Sequence, residues 1–298
     1  MSDVCDHIGH VFADAGATGW LHAVAADGSS GGTVDVAGDR PVAIASVYKL
    51  PLLVAMMRMV DDGRLDPLER ITLEPADRTV GPTGISALLD AVTMSWRDLA
   101  STMMSVSDNA AADAIIRRVG IEEIAETLRA LGLTRSRVVG GTADAYRLLH
   151  VDTGTTTLAA ALEALADADR TVDPRAYDPL HSSSATAREM TTLLTRIWTD
   201  AAASAQSCAF IRRLMGLQVR TTRIHSGFPF AGVQVASKTG TMGALRHDVG
   251  VVQFDDERPY AVAVFTQSAR AAAVQPTVDA AIGHAARLAV DHLRGIHR

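Results

Sequence analysis

Aromatic residues make up only 4% of this 298-residue chain, with 3 Trp, 4 Tyr and 6 Phe. Ala, Val, Leu, Ile and Met must therefore fill its core, Met serving as a flexible filler of gaps. Only two cysteines occur, Cys5 and Cys208, which excludes a disulfide framework and leaves both as expected free thiols. No apolar run approaches the ~18 residues of a membrane span. The longest, residues 50–57, contains Pro51 and is closed by Arg58. No block of like charge is present and the net charge is −6, which argues against nucleic acid as the main partner. The opening MSDVCDHIGH has neither a basic n-region nor an apolar h-region, so no secretory signal is read and a cytoplasmic location is expected. His150, His181 and His225 stand in loop-like stretches without the H-x₃-H type of spacing, so no metal and no other cofactor is expected.

With 48% hydrophobic residues, the chain has the means to bury a substantial core. Residues 3–15 read as a short helix. Residues 19–25 and 33–36 read as two strands joined by a Gly- and Ser-rich turn over 27–32. An apolar helix follows Ala45 and runs to Val60, before Asp61-Asp62-Gly63. Residues 95–131 are helical, opened by Ser95-Trp96-Arg97-Asp98 in the form of a capping box. Residues 140–157 and 170–184 read as loop, 157–168 and 185–199 as helix. Residues 233–237, 249–254 and 260–266 carry the β-branched and aromatic residues of strands, and 277–293 form a last helix. Strand-rich ends thus flank a helical middle. The expected fold is α/β (α+β), an antiparallel sheet flanked by helices with an inserted all-α lobe. Residues 1–42 and 200–298 would form the α/β lobe and 43–199 the mainly α lobe of one domain.

Three short patterns stand out: Ser46-Val47-Tyr48-Lys49, Ser107-Asp108-Asn109 and Lys238-Thr239-Gly240. A serine hydroxyl is a weak nucleophile and needs a neighbouring base. On a helix, S-x-x-K puts serine and lysine on one face. Partial burial lowers a lysine's pKa and makes it a usable base. A helix N-terminus adds backbone N–H groups suited to an oxyanion. Taken singly, each pattern is as well explained by a helix cap or a polar strand end; the three in this order are not.

S-x-x-K, S-D-N and K-T-G together form the motif set of class A β-lactamases and penicillin-binding proteins. The chain resembles that family of serine hydrolases over about two-thirds of its length, in residues 43–73, in SWRDLASTMMSVSDNAAADAIIRRVG and in VASKTGTMGALRHDVGVVQF. The resemblance implies a β-lactamase/transpeptidase-like fold. It implies Ser46 as the acylated nucleophile, Lys49 as its activator and Ser107 as proton relay to the leaving nitrogen. Asn109 would hydrogen-bond a substrate amide arm, and Lys238 and Thr239 would engage a substrate carboxylate, with Gly240 beside them. The N–H groups of Ser46 and Thr241 would form an oxyanion hole. Arg246 or His247, with Arg220 and Arg223 as further candidates, would supply a second positive group. The implied partner is a small anionic β-lactam-like amide or ester.

One departure matters. In class A enzymes a loop glutamate drives deacylation. The corresponding residues 137–150, RVVGGTADAYRLLH, contain no Glu, and Asp144 is their only carboxylate. Glu163 lies further on without the Leu-Asn that accompanies the family's glutamate. A positioned general base contributes ~10²–10⁴-fold, so acylation is expected to proceed and deacylation to be impaired or to use Asp144, His150 or Lys49. The alternatives are an esterase or transacylase of secondary metabolism, or a non-hydrolysing β-lactam-binding sensor.

Overall fold

The computed structural model describes residues 2–29, 31–167 and 174–295. Ser30, and the part of the expected helix and loop at 168–173, lie outside the described residues. In chain order the elements are α1 (Ser2–Asp14), β1 (Ala17–Ala25), β2 (Thr33–Val36), β3 (Val42–Ala43), α2 (Lys49–Asp61), β4 (Arg70–Leu73), β5 (Val92–Ser95), α3 (Trp96–Ser105), α4 (Asn109–Val119) and α5 (Ile121–Ala130). There follow α6 (Thr142–Thr153), α7 (Leu158–Ala166), β6 (Ser184–Ala185), α8 (Ala187–Trp198), α9 (Ala205–Gly216), β7 (Val233–Met242), β8 (Leu245–Phe254), β9 (Tyr260–Ser268) and α10 (Pro276–Leu293).

The main sheet has the order β2-β1-β9-β8-β7, and every pairing in it is antiparallel. N-terminal and C-terminal strands therefore meet at its centre, where Leu21 faces Val264 and Ala23 faces Val262. Helices α1 and α10 cover one face, sealing Ile8, Phe12, Val264, Ile282 and Val290 beneath them. The other face carries the helical elements, whose core surrounds α2. Leu50, Leu52, Leu53, Val54, Ala55 and Met56 of α2 are wholly buried. This helix is apolar all round because it passes through the middle of the protein. Pro51 is tolerated because it stands in the first helical turn, where no intrahelical donor is needed. No described helix is long and apolar enough to cross a membrane.

Several elements differ from the sequence reading, which contained none of β3, β4, β5 and β6. The stretch 140–157 is not a loop: it holds α6, opened by Asp144 accepting from Gly141 N–H at 2.9 Å and closed by Gly154 in the left-handed conformation. The Gly and Thr residues that suggested a loop are its two caps. Lys238-Thr239-Gly240 lies within β7, which continues to Met242, and not at its end. Helix α9 follows the Ser204 cap and packs on α2, α3 and α8 as well as on β7.

Candidate active site

A cavity of about 570 Å³ opens where α2, the S-D-N turn, α6 and β7 converge. Ser46, Ser107, Asn109, Thr239, Thr241 and Asp144 line it, so the structure brings together residues spread over most of the sequence. Ser46 belongs to a 3₁₀ turn, Ala45–Tyr48, that leads into α2. Ala45 has φ +44°, an uncommon conformation for a residue with a side chain, immediately before the serine. The turn presses on β7 at Gly240. A β-carbon there would stand 2.7 Å from Ile44 O and 3.0 Å from Val47 Cγ2, so glycine is required for this approach.

Ser107 also has a left-handed backbone, φ +59°. Asp108 holds that turn from behind, capping α4 at Ala110 N–H (3.1 Å) and accepting from Ile85 N–H (2.7 Å) and the Ser86 hydroxyl (2.9 Å). Two buried lysines meet at the Ser107 hydroxyl. Lys49 Nζ donates to Ser107 O (2.7 Å), Asn109 Oδ1 (2.9 Å) and Ser107 Oγ (3.3 Å). Lys238 Nζ donates to Ser107 Oγ (3.0 Å) and Thr239 O (2.7 Å). Burial pulls the Lys49 pKa down to about 7, against the pull of Asp113 and Asp108. Burial, and then the Lys49 charge, hold Lys238 well below the usual lysine range.

These contacts define what the groups can do. Ser107 O and Asn109 Oδ1 are carbonyl oxygens and only accept. A neutral Lys49 satisfies both with its two N–H bonds and keeps its lone pair for a hydroxyl proton. Ser107 Oγ can receive both lysines only while Lys49 is charged; once Lys49 is neutral, the hydroxyl accepts from Lys238 and its own O–H can turn to the Lys49 lone pair or to an acceptor in the cavity. Among the described residues the Ser46 hydroxyl, half-buried at the cavity floor, has no hydrogen-bond partner.

The expected second cation is placed differently. Arg246 is buried and turned away from the cavity, donating to Asp279 Oδ1 (3.2 Å) and Ala273 O (2.8 Å). It is opposite Thr241 in the β7–β8 register, and its side chain is consumed by the α10 ion pair. His247 is fully buried between Ala43 O (2.9 Å) and Thr266 N–H (3.2 Å). Burial drops its pKa to about 3, so it carries no charge. Arg223 takes the position beneath the cavity: Nε bonds Asp279 Oδ1 (2.8 Å), Nη1 bonds Gly240 O and His247 O, and Nη2 reaches Thr241 Oγ1 at 2.7 Å. Exposed Arg220 lines the cavity directly.

The α6 wall carries residues that motif reading did not find. Asp113 of α4 accepts from Thr142 N–H (2.8 Å) and Ala143 N–H (2.9 Å), clamping the start of α6 over the cavity. Thr142 joins the Tyr48 hydroxyl (3.0 Å) to Asn109 Oδ1 (3.4 Å). Tyr146 follows one turn later and bonds Asn109. Asp144 is engaged locally, with Gly141 N–H on Oδ2 and Arg147 on Oδ1 at 2.8 Å. Glu163 is exposed on α7, and neither it nor His150 lines the cavity; His181 does. Among the described residues no group of three or more His, Cys, Asp and Glu is arranged to hold a metal.

An antiparallel sheet, a serine-bearing turn, a lysine pair and a serine between two helices thus frame one cavity. The chain matches the profile of the β-lactamase enzyme family over residues 5–293 and belongs to that family. It is 29% identical over 283 residues to the β-lactamase regulatory protein BlaB of Streptomyces cacaoi, spanning 86% of this chain and 87% of that one. Among solved structures, the β-lactamase of Sphaerobacter thermophilus superposes with a TM-score of 0.78 at 24% identity, over 100% of this chain and 99% of the other. PBP-A superposes with a TM-score of 0.78 at 20% identity, over 99% and 97%. These likenesses establish the fold, and a PBP-A variant has been seen as an acyl-enzyme with penicillin G.

Proposed function

We propose that this protein is a serine acyltransfer protein that captures a β-lactam-like amide or ester on Ser46 and releases it slowly. The observation that carries this reading is the Lys49–Ser107–Lys238 cluster, buried and bonded as above, beside a cavity whose one carboxylate among the described lining residues, Asp144, is already bonded to Gly141 and Arg147. Neutral Lys49 receives the Ser46 proton, directly or through Ser107, as the hydroxyl oxygen bonds the scissile carbonyl. The N–H groups of Ser46 and Thr241 receive the oxyanion. Ser107 O–H then protonates the departing nitrogen or oxygen as the acyl bond to the leaving group breaks. Arg220, Thr239 and Thr241 line an end suited to a substrate carboxylate, with Lys238 and Arg223 buried behind them.

Hydrolysis of the ester would need a base on a water. Asp144 is the nearest candidate by sequence, yet both its oxygens already serve as cap and ion-pair partners. A long-lived adduct is the expected consequence. The regulatory relative favours a second reading of the same chemistry, in which the persistent adduct is a signal and turnover is incidental. The test is labelling by a fluorescent penicillin. Wild-type protein is expected to label covalently and Ser46→Ala not at all. Equal labelling of both would remove Ser46 from its role.

A further inference from the structure

Every hydrogen-bonding direction of the Asn109 carboxamide is taken by the protein itself. Oδ1 accepts from Lys49 Nζ at 2.9 Å and Thr142 Oγ1 at 3.4 Å. Nδ2 donates to Val80 O at 3.1 Å and to the Tyr146 hydroxyl at 3.0 Å. The Lys49 donor and the Val80 acceptor fix which end is oxygen and which is nitrogen. A carboxamide has two N–H bonds and no more. No N–H is therefore left for the carbonyl of a substrate's amide arm, the contact that the family resemblance assigns to Asn109. The phenol oxygen stands at hydrogen-bond distance from Nδ2, where such a carbonyl would have to lie.

Tyr146 is held there. The start of α6 is clamped by Asp113 one turn earlier, and the tyrosine packs against the Leu149, Ala161 and Ala176 cluster below it. Burial raises its pKa, so the phenol stays protonated. Its oxygen accepts from Asn109, and its own O–H has no acceptor among the described residues. That proton faces the cavity that Tyr146 lines.

We propose that Tyr146 is a specificity-determining residue. It occupies the amide-arm position on Asn109 and offers a phenolic O–H further out, so the site prefers substrates with no acylamino arm beside the scissile carbonyl. The proposal rests on the Ser46 reading above. A substrate bearing the arm must displace the phenol and give up one hydrogen bond, a handicap of roughly tenfold.

The experiment compares acylation rate constants, by intact mass, for benzylpenicillin and for penicillanic acid, which lacks the arm. Both are measured on wild type, Tyr146→Phe and Tyr146→Ala. The ratio of armed to armless rates is expected to rise about tenfold or more in both variants, and to fall back in Tyr146→Ala/Asn109→Ala. A ratio unchanged within about twofold in both variants overturns the proposal. If neither compound labels any variant, the Ser46 reading has failed, and the Tyr146 proposal is decided without acylation. N-phenylacetylglycine is then titrated against the Asn109 side-chain amide resonances. A perturbation in Tyr146→Phe that is absent in wild type supports the proposal, and identical behaviour in the two overturns it.

Discussion

Lowering the pH from 8 to 5 should switch off acylation of Ser46 while the fold persists. Lys49 is wholly buried, and burial brings its pKa to about 7. Its ammonium form would engage Ser107 O, Asn109 Oδ1 and Ser107 Oγ with all three N–H bonds and retain no lone pair. Only the neutral amine is a base. Its fraction falls tenfold per pH unit well below the pKa, so at pH 5 about 1% of the plateau rate remains. The groups facing Lys49 are Lys238, Asp113, Asp108 and Tyr48. Asp248, raised by burial to about 6 and set against Arg223 and Lys238, titrates in the same window. Two variants separate these. Lys49→Met should lower the plateau by ~10²–10⁴-fold and remove the dependence near pH 7, whereas Asp248→Asn should leave the midpoint in place. The assay is single-turnover adduct formation, quenched and read by intact mass, with circular dichroism at each pH. A folded wild type whose rate varies less than about threefold between pH 5 and 8 would refute Lys49 as the base. The same shift links to stability. The native Lys49 pKa lies below the unfolded value, so between about pH 7 and 10.5 the unfolded chain binds more protons and this group's contribution to stability rises with pH.

Other perturbations follow from packing. Gly240→Ala sets a methyl 2.7 Å from Ile44 O; about 1–3 kcal/mol of destabilisation is expected, with slower acylation because the Ser46 turn is pushed off β7, read by thermal melting and adduct formation. Asp279→Ala leaves Arg223 and Arg246 buried without their shared carboxylate; urea denaturation should show a loss of about 3–5 kcal/mol. Asp144→Asn should leave deacylation within about threefold, since its carboxylate is committed to Gly141 and Arg147; a fall of ~10²-fold would make it the water-activating base.

The parts of the site that the sequence displays are those whose chemistry is local. Ser46 and Lys49 are three residues apart on one turn, and Ser107-Asp108-Asn109 caps a helix, so short patterns carry them. The five strands of the main sheet were legible from β-branched residues, and their joining of the two chain ends follows from the flanking of a helical middle, whereas the short pairs β3–β6 and β4–β5 were not. What escaped depends on long-range register. Arg246 and Arg223 compete for one carboxylate, Asp279, and only the folded chain decides that Arg223 ends at Thr241. His247 looks like a basic residue on a site strand, but the sheet buries it and leaves it neutral. Tyr146 was hidden because Gly140, Gly141 and Thr142 made α6 read as loop, so no periodic face pointed to it.

Acylation of Ser46, with an adduct that outlasts its formation, is the step on which the proposed function depends. Its most direct test is time-resolved intact mass after mixing with a penicillin-type β-lactam. A one-to-one adduct mapped to Ser46 is expected to persist long after the reagent is removed, with little product. Steady accumulation of hydrolysed product with no standing adduct, or an adduct on any residue other than Ser46, would contradict it.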